Sequence, residues 1–238
     1  MHRELSWHGG RNIRDLGGLP TVDGATTIPN RLARGARREL LTEQGWRDAA
    51  SWGLRSIVDL RTDAEVGARD GDPAARTPEH VTIMLAPTED QQNTEFIETC
   101  FPILDSPEYW AHNVRILPHL VRATLEAIAG AEPGILFHCS AGRDRTGLIS
   151  TLLLANAGVT AGGIVADYSL AVRAMAGSAA HGGPTHDRQA RWTGDETDAF
   201  LAEVTPHVVG FAEDVDGIMD RLEIELVTRA ALRALLTE

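Results

Sequence analysis

His138-Cys139-Ser140-Ala141-Gly142-Arg143-Asp144-Arg145-Thr146-Gly147 is a polar stretch between two apolar runs, Gly134 to Phe137 before it and Leu148 to Ala157 after it. The pattern reads as strand, loop, helix. Ile135, Leu136 and Phe137 are strand formers without polar alternation, as in a strand buried on both faces, and the run from Leu148 meets no breaker until Gly158. A loop placed there points its backbone N–H groups, and the positive end of the helix dipole, at whatever sits before the helix. That is an anion site.

Cys139 and Arg145 bracket five residues, so a loop curled around a phosphate-sized anion brings the sulfur beneath it and the guanidinium to its side. The helix terminus, the loop amides and two arginines all favour the thiolate, which is the nucleophilic form. Arg145 can hold two phosphoryl oxygens bidentately while the amides of Ser140, Ala141, Gly142 and Arg143 bind the others. Gly142 and Gly147 suit a tight curl with close backbone approach. Thr146 can hydrogen-bond the regenerated thiolate. The competing reading of Cys139 is an inert cysteine buried at a strand end.

The stretch resembles the signature of cysteine-dependent protein tyrosine phosphatases, His-Cys-x-x-Gly-x-x-Arg followed by Ser or Thr. Its ending, Gly-Arg-Asp-Arg-Thr-Gly, is similar to one bacterial branch that holds tyrosine, dual-specificity and phosphoinositide phosphatases, among them a secreted mycobacterial enzyme. Two further segments match that branch in order: Asn12 to Gly18, as Asn-x-Arg-Asp-Leu-Gly-Gly, and Asp59-Leu60-Arg61 followed by Glu65. Ala166-Asp167-Tyr168 looks like it as well. Taken on its own residues, Gly10 to Gly18 would read as a solvated arm or the start of a hairpin. The resemblance makes Asn12, Arg14 and Asp15 supports of the site, with Arg14 and Asp15 expected in a buried ion pair and His138 expected to fix the loop. There is no Trp-Pro-Asp segment to deliver an acid from a mobile loop. The resemblance implies that Asp144 supplies the proton and that Asp59, at a strand end, assists; Arg61 and Glu65, four residues apart, are expected to pair with each other.

The rest of the chain bounds this reading. At 238 residues and 43% hydrophobic composition, one well-buried core is expected, with residues 1–238 as a single phosphatase domain. A net charge of −12 and a pI of about 5.2 argue against nucleic acid and against stable membrane association. All 22 basic residues other than histidine are arginine, so Arg143 is no special choice over lysine. Two cysteines do not make a disulfide framework, and Cys100 reads as a reduced, packed residue. Met1 to Asn12 lacks the apolar core of a signal peptide, and the expected location is the cytoplasm, with export by another route left open.

Along the chain, Thr42 reads as the N-cap of a helix ending at Gly53, with Leu41 stapled against Trp46. Strands are expected over Arg55 to Leu60, around the run Ser56-Ile57-Val58, and at His80 to Leu85. Pro87 to Pro107 reads as a lid or an irregular connection. Helices follow at Pro118 to Ala129 and Thr160 to Ala176, and near Val208 to Met219 and Thr228 to Leu236. His181, His186 and Asp187 invite a metal reading, but nothing around them completes a ligand set, so that segment reads as a loop.

The expectation is therefore an α/β fold of the protein-tyrosine-phosphatase type: a mixed, mainly parallel sheet of four or five strands, helices on both faces, and the site at strand C-terminal ends. The expected function is metal-independent, cofactor-free hydrolysis of a phosphate monoester through a cysteinyl-phosphate, on phosphotyrosine protein or on a small phosphorylated metabolite such as a nucleotide, inositol phosphate or biosynthetic intermediate. A silent phosphate-binding module, a sulfurtransferase and a thiol-based arsenate reductase share parts of the pattern. The last of these usually needs resolving thiols, and only Cys100 is at hand.

Overall fold

In the computed structural model, which describes residues 3–178 and 188–238, the chain runs β1 (Arg14–Asp15), β2 (Leu32–Gly35), α1 (Glu43–Trp52), β3 (Ser56–Asp59), β4 (Thr82–Leu85), α2 (Thr94–Cys100), α3 (Tyr109–Ile116), α4 (Pro118–Ala129), β5 (Ile135–His138), α5 (Asp144–Asn156), α6 (Ala161–Met175), α7 (Gly194–Glu213), α8 (Val215–Arg221) and α9 (Leu226–Thr237). The five strands form one sheet in the order β1-β2-β5-β3-β4, antiparallel at β1 and parallel elsewhere. This is the mixed, mainly parallel α/β sheet expected from the sequence.

Strand periodicity divides the core in two. Leu32, Val58, Ile135 and Phe137 face the larger cluster, built with α2 to α9, while Ala33, Ile57 and Leu136 face a smaller one with Trp7, Leu41, Trp46 and Ala49. Register then decides where the site lies. Gly35 and Asp59 both stand opposite His138, so the segments leaving β2, β3 and β5 open together at one sheet edge.

Local signals explain most boundaries. Thr42 caps α1 through Gly45 N–H at 3.2 Å, and Gly53 ends it in the left-handed region at φ +105°. Pro118 opens α4 and Thr160 caps α6. Several elements depart from expectation, among them α3, which the sequence did not show, and the single helix expected near Val208 to Met219, which is divided at Asp214 between α7 and α8. β2 went unread because its fully buried Leu-Ala-Arg-Gly carries a charge. Pro87 to Pro107 contains α2, whose polar flank supplies a cap: Asn93 accepts from Phe96 N–H at 2.9 Å, and Phe96 and Cys100 are buried. α7 starts fourteen residues before the expected Val208, because Thr193 and Glu196 form a capping box and the helix carries Pro206 within it. Residues His181, His186 and Asp187 lie outside the described residues. Among the described residues, no helix is long and apolar enough to cross a membrane.

Candidate active site

The anion loop is shorter than its sequence suggested, because α5 begins at Asp144 and takes Arg145 and Thr146 into its first turn. Arg145 is thereby fixed by helix geometry. Gly142, at φ +70°, is the residue the curl requires: a Cβ there would meet the Gly35 carbonyl at 2.4 Å. Gly147 serves packing instead, since a Cβ would meet Trp110 at 2.9 Å and Tyr168 at 3.3 Å, two rings that stack edge-on.

The loop's carbonyls are bonded outward. Asn12 Nδ2 donates to Ala141 O at 2.9 Å and Gly142 O at 3.0 Å, Arg34 donates to Gly142 O at 2.6 Å, and Arg37 N–H donates to Ser140 O at 3.1 Å. With the oxygens held away, the amide hydrogens of the curl are left for an anion. Asn12 adopts φ +56°, a left-handed conformation that Asn tolerates best among residues with a Cβ.

Arg14 and Asp15 do not pair, contrary to expectation. Both are buried, but Arg14 bonds Asn12 Oδ1 and lies 3.5 Å from Asp167, whereas Asp15 accepts from Gly17 N–H, Asn30 N–H and Trp52 Nε1. Adjacent strand residues point to opposite faces, so neighbours in β1 find different partners. Asp167 gathers Arg3, Arg14 and Arg34, the last at 2.6 Å. Burial alone would raise its pKa, yet the arginines, Arg34 foremost, hold it far below the usual carboxylate range. Its place in the buried stripe Gly163, Ile164, Asp167, Tyr168, Ala171 of α6 is the sequence signal that a partner was needed.

The expected Arg61–Glu65 ion pair also fails, Arg61 reaching only the Glu65 backbone carbonyl, at 3.3 Å. Glu65 forks onto Arg145, with Nη1 to Oε2 at 2.6 Å and Nη2 to Oε1 at 2.7 Å, and despite burial its pKa falls to about 2. Arg61, fully buried, binds Asp59 and Glu39, each at 2.7 Å. Asp59 receives Arg38 and Arg61 together. Against the upward push of burial, the Arg61 hydrogen bonds and the charges of Arg61 and Arg38 keep it ionised. It is fully buried and has no proton to give near neutral pH. His138 Nδ1 donates to Cys139 O at 3.0 Å, and burial lowers its pKa to about 4. That is the loop-fixing arrangement expected of a neutral imidazole.

Cys139 is 2% exposed, and Cys100 is a buried free thiol with its pKa raised to about 11 by burial. Arg143 turns its side chain sideways, donating to Asp144 at 2.9 Å and lying 5.7 Å over Trp192, so only its backbone belongs to the curl. Thr146 is fully buried, its hydroxyl without a partner among the described residues. Glu89, unread in the sequence, sits 4% exposed with Oε2 3.6 Å from Arg145 Nε. Burial raises its pKa against the pull of Arg145. Among the described residues no group of three His, Cys, Asp or Glu side chains is placed to hold a metal ion.

Comparison with known proteins fits this geometry. A model of the tyrosine phosphatase family matches residues 5–237. A tyrosine-protein phosphatase of Nostoc commune is 32% identical over 64% of this chain and 52% of its own length. The triple specificity protein phosphatase PtpB of Mycobacterium tuberculosis is 28% identical over 70% of this chain and 67% of its own. The chain thus spans about half to two thirds of these relatives. A solved structure, the core catalytic domain of the PP-IP phosphatase SIW14 from S. cerevisiae in complex with citrate, covers 78% of this chain and 94% of that one at 14% identity, with a TM-score of 0.38, too loose a likeness to bear on substrate. With nearly its whole described length matched, the chain belongs to the tyrosine phosphatase family.

Proposed function

We propose that residues 1–238 act as one phosphatase domain that hydrolyses phosphate monoesters through a cysteinyl-phosphate. The observation that carries this is the outward bonding of the Ser140, Ala141 and Gly142 carbonyls, which leaves an amide-lined curl between Cys139 and Arg145. Cys139 Sγ attacks phosphorus as the ester P–O bond breaks, and Asp144 passes its proton to the leaving oxygen. Asp144 then takes a proton from water as the water oxygen attacks phosphorus, the S–P bond breaks, and its electron pair returns to sulfur. Arg145 and the amides of Ser140, Ala141, Gly142 and Arg143 hold the phosphoryl oxygens, and the unpartnered Thr146 hydroxyl hydrogen-bonds the restored thiolate. Asp59, locked between Arg38 and Arg61, assists by holding those two arginines at the sheet edge and not by proton transfer.

Asp144→Asn is expected to slow hydrolysis of alkyl phosphates by roughly 10²–10³-fold while costing activated aryl phosphates about tenfold or less, since only the former need protonation. Equal losses on the two ester classes would count against Asp144 as the acid.

The substrate we propose is phosphotyrosine protein, in line with the relatives' names. The second reading, a small phosphorylated metabolite, is favoured by Arg143 being committed to Asp144 and Trp192, which leaves it unavailable to grip an extended partner. A phosphotyrosine peptide should exceed free phosphotyrosine in kcat/KM. No peptide advantage, with a metabolite phosphate far ahead of both, overturns the protein substrate and leaves the chemistry standing.

A further inference from the structure

Arg145 presents five N–H groups, and Glu65 takes one from each terminal nitrogen in an end-on fork. What remains for a ligand is the side edge, Nε–H with a neighbouring N–H. Glu89 occupies the approach to that edge, with Oε2 3.6 Å from Nε, and its side chain is almost wholly removed from water. A phosphoryl dianion gripped by the side edge therefore arrives against the Glu89 carboxyl. Were Glu89 ionised, one guanidinium would face two carboxylates and a dianion in a dry site, an arrangement that like-charge repulsion opposes strongly. A neutral carboxyl reverses the sign of the contact, because its O–H donates to the anion.

We propose that Glu89 is a substrate-contacting residue that meets the phosphoryl group in its protonated form, donating a hydrogen bond to a phosphoryl oxygen beside Arg145, so that the site takes up a proton with its anion. This rests on the anion-site reading given above. It assigns Glu89 a role separate from that of Asp144, which protonates the leaving oxygen. When Glu89 ionises, its carboxylate competes with the substrate for the Arg145 edge.

The groups that face Glu89 are few: Arg145 and Asp144 on α5, Glu65 after β3, Tyr109 on α3, Cys100 on α2 and Cys139 in the loop. Glu65 is held ionised by Arg145, with its pKa near 2. Burial keeps the Tyr109 phenol and the Cys100 thiol protonated, the latter up to about 11. The Cys139→Ser variant removes the other thiol, and burial raises Glu89 itself toward neutrality.

The test uses sulfate, whose charge is fixed across the neutral range, titrated calorimetrically into the full-length Cys139→Ser protein at a series of pH values. Sulfate affinity should fall by about tenfold for each pH unit above the Glu89 titration, the slope of a single linked proton. Adding Glu89→Gln, which keeps a donor but cannot ionise, should leave binding in place and remove the slope, whereas adding Asp144→Asn should not. A slope that survives Glu89→Gln overturns the proposal and spares the anion site. Absence of sulfate binding in every variant overturns the anion site, and the role of Glu89 with it. If the Gln variant does not fold, proton uptake decides the matter. Cys139→Ser protein titrated in buffers of different ionisation enthalpy should gain close to one proton per sulfate above the Glu89 titration, and none gained overturns the contact.

Discussion

Cys139→Ser is expected to lower kcat by roughly 10³-fold or more on every phosphate ester while leaving the affinity for sulfate within a few-fold of the parent. The division follows from what each part of the loop does. In the proposed mechanism sulfur forms the bond to phosphorus, whereas the anion is held by Arg145 and by amides whose carbonyls are tied to Asn12, Arg34 and Arg37. Replacing sulfur by oxygen changes one atom of a residue that is 2% exposed and disturbs none of those bonds. Single-turnover assays with a chromogenic ester and equilibrium anion titrations measure the two halves separately. Turnover that persists in the serine protein removes the cysteinyl-phosphate from the mechanism, and parallel loss of turnover and binding shows that the sulfur shapes the loop.

Asp167→Asn is expected to destabilise the protein by about 3–5 kcal/mol, the range for removing one member of a buried charged network. Asp167 is 1% exposed and stands against Arg3, Arg14 and Arg34; without its charge three guanidiniums remain together in the interior. Arg173→Ala on the same helix is the control. Its partner Asp198 and Arg173 itself are both more than half exposed, and the loss should stay within about 1 kcal/mol. The same network sets an acid limit. Because the folded-state pKa of Asp167 is depressed, its stabilisation is fully present above the ordinary carboxylate value of about 4 and drains away as the pH falls toward the folded value. Chemical denaturation of parent and variant across the acid range should show their difference shrinking as pH is lowered. A constant difference would falsify the electrostatic account.

Much of this fold and site is legible in the sequence alone. The apolar runs flanking the anion loop fix β5 and α5, and the caps at Thr42, Pro118 and Thr160 fix three more helices, because those signals are local and each carries its own hydrogen-bond logic. What could not be read is pairing at a distance. Arg14 beside Asp15 and Arg61 four residues before Glu65 look like partners along a line. In strands and turns such neighbours diverge: Arg14 turns to Asp167 and Glu65 to Arg145, while Arg61 takes Asp59 and Glu39, and Asp15 is satisfied by two backbone N–H groups and Trp52. Glu89 escaped for the same reason: it is a polar residue in a polar stretch, and only packing beneath α3 and against α5 makes it a buried acid. β2 and the first half of α7 were hidden by a charge, a glycine and a proline that the tertiary structure accommodates.

The outward clamping of the loop carries a kinetic consequence. Three carbonyls are satisfied by side chains and backbone from segments far away in sequence, so the curl holds its shape before any ligand enters. Little backbone entropy is then surrendered on capture of an anion, and the encounter needs no folding step. Anion association should appear as a single fast phase whose rate rises linearly with concentration, and the amides of Ala141 to Arg143 should gain protection from solvent deuterium only when the anion is bound.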